Sequence, residues 1–273
     1  MLRRRALHAV ALFVAAPLLA CADAPRVGQP GKDVEWVPTA PSVARRMLRM
    51  AQTTARDYVI DLGSGDGIIP ISAAKEFGAR ALGIEYDPAL VRLARQKAAA
   101  AGVARRARFV QGDLFAADFS RASVLTLYLK ENLNLALRPQ ILALSPGTRV
   151  VSHRFGMGDW APDEVSLVDG HRVYLWIVPA NVIGAWSLEL GPQAPPLELE
   201  FEQRFQKIGG YVMLGPVQAG LRDASLRGAR IGFSYVDRDG VRREFRGSAT
   251  RMRMSGSFRA DDGARGRWEA TKR

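Results

Sequence analysis

The sequence predicts an α/β domain with a parallel sheet covered by helices on both faces, followed by a smaller all-β domain: an antiparallel meander, a barrel or a sandwich. From residue 37 to about residue 152, short β-branched runs alternate with longer helical stretches. Beyond about residue 162, short alternating runs follow one another between Gly, Asp and Pro, without long helical stretches. The 273 residues, 48% hydrophobic and 24% charged, suit two globular domains and exclude a disordered, collagen-like or polytopic membrane chain.

The first 24 residues have the layout of an export signal. Arg3, Arg4 and Arg5 precede fifteen mostly apolar residues, 6–20, and small residues follow. The apolar stretch is short for a membrane span. Three outcomes remain open: ordinary cleavage, lipidation of Cys21 in a lipoprotein-like box, or retention of the leader as a short anchor. We therefore expect an exported or membrane-anchored protein, periplasmic or envelope-associated.

The α/β domain is predicted over residues 37–165, after a polar linker at 25–36. Pro41 and Pro88 stand at helix starts, where the missing amide hydrogen is tolerated, and Gly102 follows a helix end. In chain order, the sequence predicts a helix at 41–52, a strand at 58–62, a helix at 68–77, a strand at 81–84, a helix at 88–101, strands at 107–110 and 124–128, a helix at 133–144 and a strand at 148–152.

The all-β domain is predicted over residues 166–273. Gly191-Pro192, Gly209-Gly210 and similar pairs punctuate its runs and favour turns. Trp160 and Trp176 either line an acceptor cleft or pack between the two domains. Strands are predicted at 173–178, 185–190, 197–205, 211–214, 230–235, 243–247 and 267–270.

The charge balance is basic but scattered. Lys and Arg number 39 against 27 Asp and Glu, a net charge of +12. No block of five like charges and no aromatic-interleaved basic stripe occurs, which does not favour a nucleic-acid partner. The six arginines from Arg242 to Arg259 either face anionic lipid or form a solvated sheet edge. One cysteine and three histidines exclude a disulfide framework and a multi-cysteine zinc site, and we predict no metal.

A glycine-rich loop follows the first predicted strand. Gly63, Ser64, Gly65 and Gly67 come directly after the Asp61-Leu62 pair. In an open α/β sheet this turn lies where ligands bind, and glycine lets the backbone approach a ligand closely. The G-x-G-x-G spacing lacks the third glycine of a dinucleotide fingerprint. Moreover, Asp61 would repel a pyrophosphate but attract a cationic amino group.

Acidic residues also follow the second and third predicted strands. Glu85, beside Tyr86, can accept hydrogen bonds from both hydroxyls of a ribose. After the third strand comes Gly112-Asp113-Leu114; Asp113 can accept the exocyclic amine of adenine, while Leu114 or the following Phe115 packs against the ring. Three acids after three successive strands, with a glycine loop at the first, predict a pocket for an adenosine that carries a cationic amino-acid tail.

The chain therefore resembles the class I S-adenosylmethionine (SAM)-dependent methyltransferases, in which such a loop and two such acidic residues occur in this order and spacing. The resemblance covers about residues 37–160. It implies a Rossmann-like methyltransferase sheet and SAM as the cofactor.

A narrower resemblance is to bacterial relatives of the mitochondrial lysine methyltransferases that act on the ATP synthase c-subunit and on adenine nucleotide translocase. It is carried by residues 37–39, 61–67, 125–129, 134–139 and 146–153. The family methylates lysines of membrane proteins and has an N-terminal membrane-targeting segment, which implies a protein substrate and membrane association here. We place Thr39 of this pattern among the cofactor contacts. Lys130-Glu131 stands where relatives have apolar residues or proline, which leaves the substrate open.

The segment after the fourth strand faces the transferred methyl group in folds that resemble this one. It lacks the Asn/Asp-Pro-Pro-Tyr/Phe motif of enzymes acting on adenine or glutamine. Our catalytic candidates are Tyr128, Glu131 and Asn132, with Asn134 as a fallback; the alternative for both asparagines is helix capping. His153 is either a base or a strand-end histidine with a local hydrogen bond.

We predict a SAM-dependent methyltransferase that transfers a methyl group to a protein lysine, on a membrane protein if the narrower resemblance extends to the substrate. Two alternatives remain: an exported protein that binds SAM or a nucleoside without turnover, and a small-molecule or RNA methyltransferase.

Overall fold

The computed structural model describes residues 25–33, 35–192 and 194–273. The predicted leader over residues 1–24, with Cys21, lies outside the described residues. Within the described part of the chain, every helix is too short or too polar to cross a membrane.

The first sheet and its helices occupy residues 41–177. The elements are α1 (Pro41–Met50), β1 (Tyr58–Leu62), α2 (Ile68–Glu76), β2 (Arg80–Glu85), α3 (Pro88–Ala100), β3 (Ala107–Gln111), β4 (Val124–Leu127), α4 (Glu131–Leu142), β5 (Arg149–His153), β6 (Glu164–Val168) and β7 (His171–Ile177). The strand order is β3-β2-β1-β4-β5-β7-β6; β1 to β5 are parallel, and β6 and β7 form an antiparallel hairpin beside β5. The order reverses at β1, which places a crevice at the carboxyl ends of β1, β2 and β4.

Local sequence explains where the helices begin and which face they bury. Pro41 and Pro88 occupy the first turns of α1 and α3, and the side chain of Asp87 caps α3 by accepting a hydrogen bond from Ala89 N. Met47 and Leu48 of α1 are fully buried, in a helix that packs against β5 and β7. Burial of such a side chain stabilises the fold by about 1.5–3 kcal/mol.

The second sheet has nine antiparallel strands and forms a nearly closed barrel. The strands are β8 (Gly184–Glu189), β9 (Leu197–Arg204), β10 (Lys207–Leu214), β11 (Val217–Gly220), β12 (Arg222–Arg227), β13 (Arg230–Val236), β14 (Arg242–Ala249), β15 (Arg253–Ala260) and β16 (Arg265–Lys272). Their order is β11-β10-β9-β8-β16-β15-β14-β13-β12, and β10 lies close to β12 across the remaining seam. The interior is filled by aromatic side chains, among them Trp186, Phe233 and Trp268.

The predicted fold class is confirmed, but the predicted boundary at residue 165 is wrong. The run at 173–178, assigned from sequence to the all-β domain, is β7 of the first sheet and pairs with β5. The second sheet begins only at Gly184. Antiparallel strands have the same alternating pattern in either sheet, so local polarity cannot reveal which partner a strand takes.

Further differences concern strands that were not predicted from the sequence or that extend further than predicted. Strands β6, β11, β12 and β15 were not predicted, and β10 continues through the glycine pair 209–210, expected as a turn. Gly210 adopts a φ of +136°, and a Cβ there would lie 1.9 Å from the carbonyl oxygen of Glu200. Glycine at this position therefore permits close strand pairing and does not end the strand.

The two sheets meet at the β9–β10 hairpin. The ring of Phe205 stacks on Trp160 with 5.8 Å between centroids, and Trp160 Nε1 donates a 3.0 Å hydrogen bond to Gln206 Oε1. Trp176 is fully buried and donates from Nε1 to the carbonyl of Trp160. Of the two roles considered for these tryptophans, the structure supports packing between the domains for Trp160, and Trp176 packs against Trp160 within the first domain.

Candidate functional site

A cavity opens at the carboxyl end of the parallel sheet, at the crevice beside β1. Its free volume is about 90 Å³, below the roughly 300–1,000 Å³ that is usual for small-molecule sites. Ten of the eleven predicted cofactor residues line it: Thr39, Asp61, Gly63, Ser64, Gly65, Glu85, Tyr86, Gly112, Asp113 and Leu114. The eleventh, Gly67, does not.

Gly67 supports the site from behind. It precedes α2 with a φ of +83°, and a Cβ there would lie 2.6 Å from the ring of Phe109 and 3.0 Å from Ala94 Cβ. Glycine is required at this position because the loop must turn sharply and α2 must lie close to its neighbours. Gly67 therefore shapes the loop without reaching the cavity.

Asp61 is the most strongly perturbed acid of the cavity. Its side chain is buried at the end of β1 and accepts a 2.6 Å hydrogen bond from Thr126 Oγ1. Burial, with smaller contributions from the nearby charges of Glu85 and Asp66, raises the pKa of Asp61 to about 7 against the opposing hydrogen bond from Thr126. Asp66 is paired with Lys97 at 2.5 Å, whereas Asp61 and Glu85 have no ion pair among the described residues, which favours a ligand that carries positive charge.

Glu85 lies opposite the glycine loop and holds it. Its Oε2 accepts a 2.8 Å hydrogen bond from Gly65 N, and its Oε1 accepts one of 2.9 Å from Asp87 N. Each carboxylate oxygen keeps further acceptor capacity. Glu85 is therefore fixed in the cavity with room to accept hydrogen bonds from the two hydroxyls of a ribose.

Asp113, the predicted adenine contact, forms an ion pair in this structure. Lys32 Nζ lies 2.5 Å from Asp113 Oδ2 and 5.3 Å from the centre of the Tyr86 ring. The hydrogen bond from Lys32 holds the pKa of Asp113 below its usual range. A backbone amide, Phe115 N, donates to the other carboxylate oxygen at 2.9 Å.

Lys32 belongs to a segment that lies across the cavity, residues 28–33 and 35–38, which we call the strap. Backbone hydrogen bonds from Gly28 N to Trp36 O (2.8 Å) and from Trp36 N to Gln29 O (3.1 Å) shape it into a turn. Gln29 Nε2 also donates to Asp87 Oδ2 at 2.7 Å. The half-buried ring of Trp36 lies so close to the loop that a Cβ on Gly65 would meet its Nε1 at 2.7 Å.

The prediction of a linker over residues 25–36 therefore missed the strap and seven residues that line the cavity, among them Gln29, Lys32 and Trp36. The segment is polar, so its composition resembles a tether, but its contacts are made with residues far along the chain. The tryptophan was the one available signal, because so large an apolar side chain seldom occurs in a free linker.

The acceptor-side candidates do not all come together. Tyr128 lines the cavity, whereas Glu131 and Asn132 lie exposed on the first turn of α4 and do not line it. Neither Asn132 nor Asn134 caps the helix, whose N-cap is Lys130. Their positions follow from helical geometry, since α4 begins one residue before Asn132 and turns both exposed side chains toward solvent.

Asn134 is buried and organises the loop after β5. Its Nδ2 donates to the carbonyl oxygens of Phe155 and Gly156, at 3.3 and 3.1 Å, and to Ser152 Oγ at 3.3 Å. Asn134 thus has a positioning role near Tyr128, because Phe155 stacks on the tyrosine ring with 6.4 Å between centroids.

His153 lies on the other side of Tyr128. The two rings are 3.9 Å apart, and His171 stands edge-on to His153 at 5.0 Å. Neither ring nitrogen of His153 has a hydrogen-bond partner among the described residues, so the local hydrogen bond expected of a strand-end histidine is absent there. Burial, aided by the charges of His171 and Arg154, lowers the pKa of His153 to about 4, and the imidazole is neutral at pH 7.

The parallel sheet, the glycine loop after β1 and the acids at three successive strand ends define a class I SAM-dependent methyltransferase. The family model described as the ANTKMT methyltransferase domain matches residues 61–164. A protein-lysine N-methyltransferase of Saccharolobus islandicus is 43% identical over 151 residues, which are 53% of this chain and 94% of that protein. The chain belongs to this methyltransferase family, and SAM is its cofactor.

The names of other relatives give different methyl acceptors. A lysine N-methyltransferase for the ATP synthase c-subunit, from Xenopus laevis, and one for adenine nucleotide translocase, from Mus musculus, are each 34% identical, over 48% and 50% of this chain and 57% and 66% of theirs. A solved structure of an RNA methyltransferase from Salinibacter ruber, in complex with S-adenosyl-L-homocysteine, is 52% identical with a TM-score of 0.53. It covers 54% of this chain and 96% of its own.

Proposed function

We propose that this methyltransferase transfers methyl groups from SAM to the ε-amino groups of protein lysines. The observation that carries the proposal is the position of Tyr128, which comes from the segment after β4 and lines the same cavity as the acids Asp61 and Glu85. This arrangement stands in a chain that is 43% identical to a protein-lysine N-methyltransferase.

The cofactor site suits a ligand with an ammonium, a ribose and an adenine. Asp61 would hold the ammonium, Glu85 the ribose hydroxyls and Asp113 the adenine amine, after exchange of its Lys32 partner. When bound, SAM supplies a methyl group on a sulfonium. The strap and the loop cover the cavity, which excludes water and aligns donor and acceptor for an in-line displacement.

On the acceptor side the chain must receive lysine as a neutral amine. The nitrogen lone pair forms the new N–C bond while the S–C bond breaks, and the proton of the former ammonium leaves to water. Tyr128, held between His153 and Phe155, can accept a hydrogen bond from the amine at its phenolic oxygen and orient the lone pair. The neutral His153 adds no charge that would repel an incoming lysine.

The test is transfer of label from methyl-labelled SAM by the full chain, with bacterial membrane and soluble extracts as acceptors. We expect label in protein, recovered as N-methyllysine after acid hydrolysis. Tyr128→Phe should lower kcat at least tenfold with little change in SAM affinity, whereas Tyr211→Phe, outside the cavity, should leave both unchanged. If the chain binds SAM but transfers label to no fraction, the proposal is contradicted. That result would favour a protein that binds SAM without turnover.

RNA is the second candidate acceptor, and one observation favours it: the 52% identical Salinibacter structure carries the name of an RNA methyltransferase. The same incubation with extracted bacterial RNA distinguishes the two. If the label survives protease treatment but is removed by ribonuclease, the methyl acceptor is a nucleotide and not a lysine.

We further propose that the acceptor is a membrane protein and that the enzyme is exported or anchored through its N-terminus. The support is the signal-like order of residues 1–24 and the enzymes for the ATP synthase c-subunit and for adenine nucleotide translocase among the relatives. Mass spectrometry of the N-terminus from cell fractions tests it. A lipidated Cys21, a chain starting at Pro25 or an intact membrane-bound leader would support it, and an intact chain in the cytoplasmic fraction would contradict it.

A further inference from the structure

The barrel sheet concentrates positive charge on one part of its outer surface. Along β12 to β16 the inward positions are buried apolar residues such as Phe233, Phe245 and Trp268, and the alternating positions point outward. Those outward positions hold eight arginines: Arg227, Arg230, Arg242, Arg246, Arg253, Arg259, Arg265 and Arg267. We call this surface the basic face.

The carboxylates of the basic face are too few to neutralise it. Three stand among the eight arginines: Asp223, Glu244 and Glu269. Arg246 and Arg259 share Glu244 as their ion-pair partner, at 2.8 and 2.6 Å. Arg242 pairs with Asp223. The other five arginines of the face have no ion pair within the described residues. The face therefore carries an excess of positive charge directed at solvent.

The neighbouring strands β8 and β9 of the same sheet are acidic. The outward positions of β8 and β9 hold four glutamates, Glu189, Glu198, Glu200 and Glu202, and one arginine, Arg204, at the strand end. A scattered arginine-rich composition would distribute cations over both regions. Instead, the strand register of the barrel places the arginines of the basic face and these glutamates on different strands. The domain therefore has an asymmetric charge distribution, which orients it in an electric field.

Hydroxyl groups lie between the arginines. Ser257 of β15 is the register partner of both Arg246 on β14 and Arg267 on β16, so an Arg-Ser-Arg row crosses three strands. Arginine forks and serine hydroxyls together are donors suited to phosphate oxygens. The basic face thus has the chemistry of a surface that contacts several phosphate groups.

We propose that the basic face docks the barrel onto a bilayer of anionic phospholipid. The outward positions of β12 to β16 carry no aromatic side chain, so the face offers no stacking surface for single-stranded nucleic acid. At its rim, in the turn between β14 and β15, Met252 is 57% exposed between Arg251 and Arg253. An apolar tip flanked by cations suits insertion among lipid headgroups. The proposal does not depend on the methyl acceptor.

Sedimentation of the full chain with vesicles tests the proposal. The probes are large vesicles of phosphatidylcholine with one quarter phosphatidylglycerol, and vesicles of phosphatidylcholine alone. Arg230→Gln/Arg253→Gln/Arg267→Gln neutralises three arginines without ion pairs in the described chain. At about 1 kcal/mol per cation near an anionic surface, we expect its affinity for the anionic vesicles to fall on the order of 100-fold. Met252→Ser should weaken the binding as well.

The matched control removes the same charge elsewhere. Arg92→Gln/Arg105→Gln/Arg108→Gln changes three exposed arginines of the α/β domain and should alter the affinity less than threefold. Binding to phosphatidylcholine alone reports any contribution of the apolar residues 6–20, which both triple variants retain. Equal losses in the two variants, no preference for anionic vesicles, or a face-specific loss seen only with single-stranded RNA would each overturn the proposal.

Discussion

The hydroxyl of Thr126 donates a 2.6 Å hydrogen bond to Oδ1 of Asp61, its register partner across β4 and β1. Both side chains are buried, and among the described residues this is the one side-chain hydrogen bond that Asp61 receives. Glu85 and Asp66 surround it with further negative charge. The carboxylate is therefore held in position but lacks a counter-charge among the described residues, which the cationic end of SAM would supply in the binding mode that we propose.

Loss of the Thr126 hydroxyl should weaken cofactor binding. Thr126→Val keeps the shape of the side chain but removes the hydrogen bond that stabilises ionised Asp61, at a cost of about 1–3 kcal/mol. We expect the Kd for SAM at pH 7.5, measured by calorimetry, to rise roughly 5- to 150-fold. Thr148→Val removes another buried hydroxyl, bonded to the carbonyl of Ala122 away from the cavity, and should change the Kd less than twofold. Equal effects would contradict the assigned role of Thr126.

Cofactor binding should depend on pH through Asp61. Its pKa of about 7 in the protein means that the carboxyl is mostly neutral at pH 6 and mostly ionised at pH 8. Because the ionised form attracts a cationic ligand, SAM affinity should increase as the pH rises from 6 to 8 and then level off. Asp61→Asn should bind weakly and without this dependence. A wild-type affinity that is constant over the range would show that Asp61 does not titrate there.

The same residue should lower the stability of the cofactor-free protein. A carboxyl whose pKa rises from 3.8 to about 7 on folding binds its proton more tightly in the folded state, so stability falls as the pH rises from about 4 to 7. Asp61→Asn should raise the free energy of unfolding at pH 8 by up to about 4 kcal/mol. At pH 4 this gain should vanish. Urea denaturation at the two pH values measures both.

Asp57 provides the opposite control. It is also buried, but hydrogen bonds from Arg149 and Ser123 outweigh burial and hold its pKa below the usual range. Its ionised form therefore stabilises the fold above about pH 4, and that stabilisation is lost as the pH falls through its lowered pKa. Asp57→Asn should accordingly destabilise the protein at pH 8. A gain in stability from both substitutions would contradict the environments described.

The strap should contribute to SAM retention. Trp36→Ala removes the ring that packs over the glycine loop and opens the cavity to water, so we expect SAM to bind about tenfold more weakly and to dissociate faster in stopped-flow measurements. Val27→Ala changes an exposed side chain next to the strap and should have no effect. Identical dissociation rates for Trp36→Ala and the unmodified chain would exclude a covering role.

The close approach behind the loop should make Gly67 intolerant of a side chain. Gly67 and Gly102 both have left-handed φ angles, +83° and +71°, but a Cβ meets Phe109 at 2.6 Å at Gly67 and nothing within 4 Å at Gly102. Gly102→Ala should cost about 1 kcal/mol from the backbone alone. Gly67→Ala should cost about 2–4 kcal/mol because overpacking adds to it. Comparable losses in chemical denaturation would argue against the steric contribution.

Local sequence was sufficient to locate ten residues that line the cavity, but not those of the strap. Asp61, Glu85 and Asp113 each lie at or just beyond the end of a short strand that precedes a helical or turn signal, and parallel strands bring such ends to the same edge of the sheet. The glycine loop could be located for the same reason. These features depend on the order of β-strands and helices, which short segments of sequence specify.

The tertiary structure alone determined the rest. Whether β7 joins the first sheet or the barrel depends on pairing with β5, and the contact between Lys32 and Asp113 spans 81 residues of chain. Glu131 and Asn132, three and four residues after Tyr128 in sequence, point away because they form the first turn of α4. The basic face likewise exists only through the register of five strands. Polarity patterns are local, whereas strand partners, register and long-range contacts are selected by the packing of the whole chain.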